Sequence, residues 1–260
     1  MRTSGILMHI SSLPSKYGIG TMGREAKRFV NFLAEAGQTY WQILPICPTS
    51  YGDSPYQSFS SFAGNPYFID LEKLCQAGLL RDAECEAYDW GPKETEADFG
   101  ILYENRYDLL KKAYARFAKK KPKRFEEFCE NEKEWLEDYA IFMALKDVNG
   151  GAAWYQWEKE LKFREEAAMK RVREQYKEEI DFYKMLQYLF FRQWRSLKAY
   201  AGKKGISIIG DVPIYVAGDS ADVWANPGQF YLDENLDPIE VAGCPPDAFS
   251  EDGQLWGNPL

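Results

Sequence analysis

The stretch from Tyr40 to Pro66 constrains the fold of this 260-residue chain more than any other. Its first part, Tyr40 to Ile46, is a short run of aromatic and branched apolar residues, which is typical of a buried parallel strand. Because proline lacks the N–H that a sheet ladder needs, Pro45 predicts that the strand ends close to this residue. The second part is rich in Gly, Asp, Ser and Pro, which predicts a loop.

This predicted loop combines flat rings with short polar side chains. Tyr51, Tyr56 and Phe59 supply the rings, and carboxylate, hydroxyl and amide groups lie between them. A pyranose ring offers an apolar C–H face for stacking and a rim of hydroxyls for hydrogen bonds. The composition of the loop therefore predicts a sugar site.

A strand, a helix and a second strand are predicted within the first 46 residues. Gly5 to Ile10 is a short apolar segment, and Arg24 to Ala36 has apolar residues at helical spacing. Together with Tyr40 to Ile46 they predict a βαβ unit with parallel strands. Glycines 18, 20 and 23 match the spacing of a dinucleotide fingerprint, but a loop containing proline separates them from the strand, so no nucleotide cofactor is expected.

The middle of the chain reads as helical and its last part as loops. Tyr67 to Leu74 is interpreted as a short strand or an ordered turn, and residues 75–200 carry a mostly helical pattern, with a solvated charged helix over Glu158 to Asp181. Ile206 to Val216 is a third apolar strand, and Ala217 to Leu260 is loop-like. The chain is thus predicted to be an α/β protein with a helical insertion.

Two polar residues lie where predicted strands end. Asp211 follows the third strand, at the kind of position where barrel enzymes keep their chemistry, although an aspartate here also suits the cap of a turn. His9 follows the first strand, and two interpretations of it stay open: a donor to a sugar hydroxyl, or a core histidine whose hydrogen bonds are satisfied within the protein. In the last segment, Gly253, Trp256 and Gly257 suit a lid that bends and offers a ring. Phe29, Phe32, Trp41, Phe190 and Trp194 are predicted to be core rings.

Composition narrows the classes of protein to which the chain belongs. The net charge of -8 and the pI near 5.0 argue against a general nucleic-acid binder, and the basic run Lys119 to Arg124 is expected to be a solvated surface. Five cysteines without a Cys-x-x-Cys pair predict a reducing compartment and no zinc site. No stretch approaches the ~20 apolar residues of a membrane span, and a cytoplasmic protein is expected. The sequence also predicts no metal and no cofactor. The oligomeric state cannot be read from the sequence.

Four segments carry a resemblance to a known family. They are GILMHISSLPSKYGIGTMG, ILPICPTSYGDSPYQSFSSFAGNPYFIDL, IGDVPIYVAGDSADVWANP and CPPDAFSEDGQLWGNP. In this order they resemble the amylomaltases, the 4-α-glucanotransferases of glycoside hydrolase family 77. The resemblance is close over residues 5–74 and 205–260, and the helical insertion matches only in placement.

The resemblance implies a (β/α)8 barrel of the TIM type, of which this chain carries the first three units. It divides the chain into residues 1–74 with the first two strands, an inserted helical subdomain at 75–182, and residues 183–260 with the returning helix, the third strand and a mobile loop. It implies α-1,4-glucans and maltooligosaccharides as substrates. The charge balance and the lack of a long apolar stretch predict no nucleic-acid or membrane partner. The implied chemistry is retaining transfer through two carboxylates.

The resemblance also implies which residues contact sugar. Asp211 matches an active-site aspartate that hydrogen-bonds the bound sugar. Tyr56 and its neighbours match the loop that lines the donor side, and residues 247–256 match a mobile loop that covers the cleft and excludes water. The full set of expected substrate-binding residues is His9, Tyr51, Asp53, Ser54, Tyr56, Gln57, Asp211, Asp247, Phe249, Ser250 and Trp256.

One large departure concerns the catalytic carboxylates. The family's nucleophile lies in a motif resembling Arg-x-Asp-His, yet the only histidine here is His9, and it does not follow an aspartate. The nucleophile and the general acid are therefore expected beyond Leu260, and the 260 residues are expected to be inactive alone. A non-catalytic glucan-binding protein and a hydrolase of the α-amylase type are the alternatives.

Overall fold

Helices dominate residues 2–50, 52–91 and 96–260, which this computed structural model describes. The α-helices are α1 (Arg24–Glu35), α2 (Leu71–Gln76), α3 (Asp82–Glu86), α4 (Phe99–Phe117), α5 (Lys123–Asn131), α6 (Lys133–Val148), α7 (Lys159–Lys162), α8 (Glu166–Gln175), α9 (Lys177–Lys203) and α10 (Ala221–Ala225). The strands are β1 (Gly5–Leu7), β2 (Tyr40–Gln42), β3 (Ser207–Ile209), β4 (Val241–Cys244) and β5 (Gln254–Pro259). Short 3-10 helices cover Ile10–Ser12, Pro66–Phe68, Ala118–Lys120, Trp154–Gln156 and Pro227–Gln229.

The first three strands form a parallel sheet in the order β1-β2-β3. Leu7 pairs with Gln42, and Gln42 pairs with Ile209, so the three strands end in register. The predicted strands and the predicted βαβ unit are therefore confirmed, but each strand is shorter than expected. Pro45 and Pro213 follow β2 and β3 and have no N–H to donate, which is consistent with the early end of both strands.

Contacts divide the chain into two compact units. Unit 1 comprises residues 1–46, 64–131 and 185–211, and unit 2 comprises residues 47–63, 132–184 and 212–260. These bounds differ from the predicted division, since residues 75–182 are shared between both units. An inserted helical subdomain with those limits thus stays a prediction.

Unit 1 has its core between the parallel sheet and its helices. The α1 residues Ala26, Val30 and Leu33 are buried at helical spacing, and the Phe29 ring meets the buried Trp41 ring edge-on at 5.2 Å. Trp41 and Phe190 are core rings as predicted, whereas the prediction for Phe32 is wrong because its side chain is 53% exposed. Phe32 lies on the solvent side of α1, one residue before the buried Leu33.

Unit 2 is built around three large rings from separate elements. Phe142 of α6, Trp157 and Trp224 of α10 lie with ring centroids 5.5–5.9 Å apart. The Trp224 indole N–H donates to the carbonyl of Leu161 at 3.0 Å, so its polar atom is satisfied. β4 and β5 form an antiparallel pair in the same unit.

Three local predictions need correction. The alternative of a strand at 67–74 is wrong, because Pro66–Phe68 is a 3-10 helix and Asp70 then caps α2 by accepting from the Lys73 N–H at 2.9 Å. The single charged helix over 158–181 is broken into α7, α8 and the start of α9, and Arg164 between α7 and α8 has a left-handed φ of 53°. The loop-like segment 217–260 contains α10 and the β4–β5 pair.

The basic side chains from Lys119 to Arg124 are exposed, which confirms a solvated surface. None of the helices in the described ranges has the length and apolar content that a bilayer span requires. The cytoplasmic location stays a prediction.

Candidate functional site

His9 and Asp211 lie at the same edge of the parallel sheet in unit 1. The carboxyl ends of parallel strands meet at one edge, and His9, Leu44 and Asp211 each stand two residues beyond the last residue of β1, β2 and β3. The Ile43 N–H donates to the carbonyl of Ile209 at 2.9 Å and so extends the ladder towards this edge. The predicted placement of both residues is confirmed, and barrel enzymes carry their active sites at this edge.

The ring of His9 is held as a neutral hydrogen-bond donor. Its Nδ1 accepts the Leu44 N–H at 3.2 Å, and its ring meets the Phe68 ring edge-on at 5.3 Å. Burial lowers the pKa of His9 to about 4. At neutral pH, a neutral imidazole whose Nδ1 accepts carries its proton on Nε2, which can donate to a hydroxyl.

Asp211 follows β3 directly after Gly210, and both residues are exposed. The pairing of Ile209 with Gln42 fixes the main chain two residues before Asp211. An exposed carboxylate at this edge accepts hydrogen bonds without the desolvation cost of a deeply buried charge. Its chemistry suits a contact with sugar hydroxyls.

The polar loop 47–63 belongs to unit 2 and closes on itself. Thr49 and Ser58 form an antiparallel bridge, and the Ser50 N–H donates to the carbonyl of Gln57 at 3.0 Å. Asp53 is exposed and adopts a left-handed φ of 54°, a conformation that aspartate tolerates better than most residues. Tyr51 lies outside the described residues.

Within this loop, Ser54 and Tyr56 differ in what their side chains do. The Ser54 Oγ accepts the Tyr56 N–H at 3.3 Å and thus shapes the turn. The Tyr56 side chain is 44% exposed. Tyr56 is therefore accessible to a ligand from solvent, as is the more exposed Phe62 of the same loop, whose ring stacks on Trp135.

Gln57 joins the loop to β5. Its Nε2 donates to the Oδ1 of Asn258 at 3.1 Å, and Asn258 Nδ2 donates to the carbonyl of Val216 at 2.7 Å. Asn258 is only 4% exposed, so this amide pair is largely withdrawn from water. Gln57 has a structural partner in addition to its expected contact with sugar, and Asn258 is a residue that the sequence reasoning missed.

Asp222 is a second missed residue that holds the same loop. Its Oδ2 accepts the Ser61 N–H at 2.8 Å, and burial raises its pKa. The sequence signal was weak, since Asp222 stands in the first turn of α10, where acidic residues are common anyway.

The predicted mobile loop is a hydrogen-bonded turn between β4 and β5. Asp247 Oδ1 accepts the N–H groups of Phe249 and Ser250 at 2.8 and 2.9 Å, and the Ser250 hydroxyl donates to the Gly253 carbonyl at 2.6 Å. Asp247 and Ser250 therefore support the turn with their side chains. Sequence alone does not separate an aspartate that folds a turn from one that binds a ligand.

The rings of this segment are turned to solvent. Phe249 is 95% exposed at the turn, and Trp256 on β5 is 44% exposed. Trp256 donates its indole N–H to Gln254 Oε1 at 3.0 Å and lies 6.0 Å from the ring of Tyr215. Since Gln57 binds Asn258 on the same strand, the Tyr56 loop and the Trp256 strand are linked within unit 2.

The described part of the chain offers stacking rings and neutral polar groups. Among its residues, no group of three or more His, Cys, Asp or Glu side chains is arranged to hold a metal ion. Aromatic faces, amides, carboxylates and a neutral histidine are each groups that recognise an uncharged polyhydroxylated ligand.

The sequence profile of glycoside hydrolase family 77, described as 4-alpha-glucanotransferase, matches residues 8–260. The chain belongs to this family. It is 53% identical to the 4-alpha-glucanotransferase of Clostridium butyricum over 254 residues, which cover 97% of this chain and 52% of the relative. It is 52% identical to that of Thermus thermophilus over 263 residues, which cover 100% of this chain and 52% of the relative.

A solved structure from the same family shares the fold. The amylomaltase from Streptococcus agalactiae in complex with acarbose superposes with a TM-score of 0.97 at 46% identity, covering 100% of this chain and 53% of that one. This chain therefore spans about half the length of the family members that it matches.

Proposed function

We propose that the protein takes part in 4-α-glucanotransfer, in which a segment of an α-1,4-glucan passes from one maltooligosaccharide to another. The observation that carries the proposal is the family match over residues 8–260. The binding of acarbose by the Streptococcus agalactiae amylomaltase supports a glucan as substrate. The same match favours a transferase over a hydrolase of the α-amylase type and over a non-catalytic glucan-binding protein.

The proposed fold is the first three strands of a (β/α)8 barrel. The parallel order β1-β2-β3 and the superposition on an amylomaltase support it. In such a barrel His9 and Asp211 would stand on the catalytic face. The inserted subdomain at 75–182 belongs to the same proposal.

The proposed reaction is retaining and uses two carboxylates. One attacks the anomeric carbon to form a glycosyl-enzyme, while a carboxylic acid protonates the leaving oxygen. A sugar hydroxyl then attacks in place of water, so the site must exclude water. His9 is the only histidine, and no Asp-His pair occurs in the 260 residues, so the motif of the nucleophile is absent from them. We therefore assign sugar contacts to these residues, and we assign neither the nucleophile nor the general acid to them.

The residues proposed to contact sugar differ in the groups that they present and in whether they also hold the fold. Asp211, His9, Tyr56 and Trp256 present a carboxylate, a neutral donor and two exposed rings. Tyr51, Asp53, Ser54, Gln57, Asp247, Phe249 and Ser250 complete the set, and four of them also hold turns or neighbouring strands. The free cysteines among the described residues support a reducing, cytoplasmic setting.

A maltotriose disproportionation assay tests the function. The 260-residue chain and any longer product of its gene are incubated with maltotriose, and the products and the total reducing ends are measured. Transfer yields glucose and longer maltodextrins at a constant number of reducing ends, whereas hydrolysis increases that number. We expect transfer by the longer product alone. Transfer by the 260 residues would contradict the assignment of the nucleophile, and net hydrolysis would contradict the transferase.

A further inference from the structure

Unit 2 contains a cavity of about 280 Å³ that the proposed reaction does not use. Tyr155, Asp219, Leu236 and Asp237 are among the residues that line it. Its volume lies just below the roughly 300–1,000 Å³ of typical small-molecule sites, which suits one ring-sized occupant. Tyr155 is 47% exposed, so the ring is accessible.

A buried lysine fixes the carboxylate of Asp219. Lys146 Nζ donates to Asp219 Oδ2 at 2.6 Å and to the Gly151 carbonyl at 2.9 Å, with a side chain that is 8% exposed. Asp219 Oδ1 accepts the Trp154 N–H at 3.2 Å. Burying an ion pair contributes little net stability, but it holds the carboxylate in one orientation. Each oxygen keeps acceptor capacity for a ligand.

A turn with an unusual conformation contributes Leu236 and Asp237 to the cavity lining. Asp233 Oδ1 accepts the N–H groups of Asn235 and Asp237, and Leu236 between them has a left-handed φ of 62°. A bulky residue in this region carries a conformational cost, and such positions are concentrated at ligand sites. The turn sets the exposed Asp237 at the rim.

The charges at the cavity are balanced. Lys146 neutralises Asp219, and Lys162 Nζ lies 4.0 Å from Asp237 Oδ1. The two carboxylates of the cavity lining therefore each have a lysine nearby, which makes the lining a poor site for a cation. An uncharged ligand that donates hydrogen bonds and has an apolar face fits better, and a pyranose ring has both properties.

We propose that this cavity binds one glucose unit of an α-glucan, with its apolar face on Tyr155 and its hydroxyls donating to Asp219 and Asp237. The proposal rests on the proposed function for the identity of the sugar. It assigns no chemical step to the cavity. Its role would be to hold a remote part of a long glucan.

Nuclear magnetic resonance on the isotope-labelled 260-residue chain tests binding, with maltotriose as the probe and cellotriose as the β-linked control. We expect saturable shifts of the Tyr155, Gly218 and Leu236 amides with maltotriose only. Tyr155→Ala should raise the Kd about tenfold or more because it removes the stacking ring. Asp237→Asn should raise it severalfold, and Tyr231→Ala, which removes a 66% exposed ring outside the cavity lining, should leave it within about twofold.

Absence of shifts at these amides up to about 10 mM maltotriose, where a Kd near 1 mM is readily seen, would overturn the proposal. Equal effects of Tyr155→Ala and Tyr231→Ala on the Kd for maltotriose would also overturn it. Circular dichroism and melting curves verify that the variants are folded. Both altered tyrosines are exposed, so loss of the fold is not expected.

A kinetic comparison on any longer product of the gene separates this proposal from the proposed function. Tyr155→Ala should leave turnover of maltotriose unchanged and raise the KM for long amylose severalfold. A wild-type protein without any transfer would contradict the proposed function, while the amide shifts would still decide whether the cavity binds the sugar. An unchanged KM for amylose in Tyr155→Ala would contradict the role in holding long glucans.

Discussion

At the scale of single residues, loss of the Asp211 carboxylate should strongly reduce activity. Asp211→Asn keeps the shape but replaces a charged acceptor with a neutral amide, which should weaken the proposed hydrogen bonds to the sugar in the transition state. In the active gene product we expect kcat for maltotriose to fall about 100-fold or more. Glu35→Gln, a change at an exposed carboxylate of unit 1 at the end of α1, serves as the control. Near-normal turnover of Asp211→Asn would remove this residue from the site.

His9 should make the stability of the chain depend on pH between about 4 and 6.5. Burial lowers the pKa of His9 from 6.5 to about 4, so the unfolded chain binds a proton in this window that the folded chain does not. The free energy of unfolding therefore decreases as pH falls from 6.5 to 4, by about 3 kcal/mol at most from this one group. Urea unfolding at pH 7 and pH 4.5 measures the effect.

His9→Asn separates this effect from that of the carboxylates. The Oδ1 of asparagine can accept the Leu44 N–H as Nδ1 does, but it does not titrate. Because His9 is the only histidine, the stability difference between the original chain and the variant should shrink or reverse at low pH. A difference that is the same at both pH values would show that His9 is not held neutral by the fold.

The sequence predicted the placement of single residues better than their partners. Asp211 and His9 were found because a polar residue directly after an apolar run stands at a strand end, which is local information. The partners of Gln57 and Asp247 were not found for two different reasons. Gln57 binds Asn258, 201 positions away, which only the fold brings near. Asp247 folds a local turn, and the same residue type would suit a ligand equally well.

At the scale of elements, helix α9 holds the segment that follows the polar loop. Gln187 Oε1 accepts the Gly64 N–H at 2.7 Å and its Nε2 donates to the Gly64 carbonyl at 3.0 Å, all within unit 1. Gln187→Leu leaves both buried backbone groups without this partner. We expect a loss of roughly 2–4 kcal/mol in the free energy of unfolding, measured by urea titration.

Ser196→Ala on the exposed side of α9 is the matched control and should change the free energy of unfolding by less than about 0.5 kcal/mol. Gly64→Ala tests a different contact of the same segment, since a Cβ there would lie 2.0 Å from the Phe190 ring and should also destabilise the fold. If Gln187→Leu were as stable as the control, the two hydrogen bonds between the Gln187 side chain and the Gly64 backbone would not stabilise the fold.

Element types followed from periodicity, but element ends did not. Helical periodicity predicted a helix in the region of α9 and a core ring at Phe190, which is buried. The antiparallel β4–β5 pair was missed because its strands include Gly243, Gly257 and Pro259, which read as loop residues. Its pairing depends on contacts between residues ten to eighteen positions apart, which a local pattern does not contain.

At the scale of the whole molecule, the two units could not be read from the sequence. Unit 2 is assembled from three separated segments, 47–63, 132–184 and 212–260. A change of composition along the chain marks where helices replace strands. It does not mark which distant segments pack together, as Phe142, Trp157 and Trp224 do.

The parallel sheet gives the last prediction, which concerns self-association of the 260-residue chain. Within the described residues β1 and β3 each pair with β2 only, and Leu7 and Ile209 are 56% and 42% exposed on these strands. Unpaired strand edges with apolar side chains promote association between copies. We expect concentration-dependent association in sedimentation velocity, strongest near the pI of 5.0, where net charge no longer keeps copies apart.

Ile209→Lys should reduce this association, because an edge lysine must be desolvated when a second copy pairs with the strand. Phe32→Lys adds the same charge at a 53% exposed apolar residue of α1, away from the sheet edge. If association depended on net charge alone, the two variants would behave alike. A selective effect of Ile209→Lys identifies the strand edge as the contact, whereas equal effects would place the contact elsewhere on the surface.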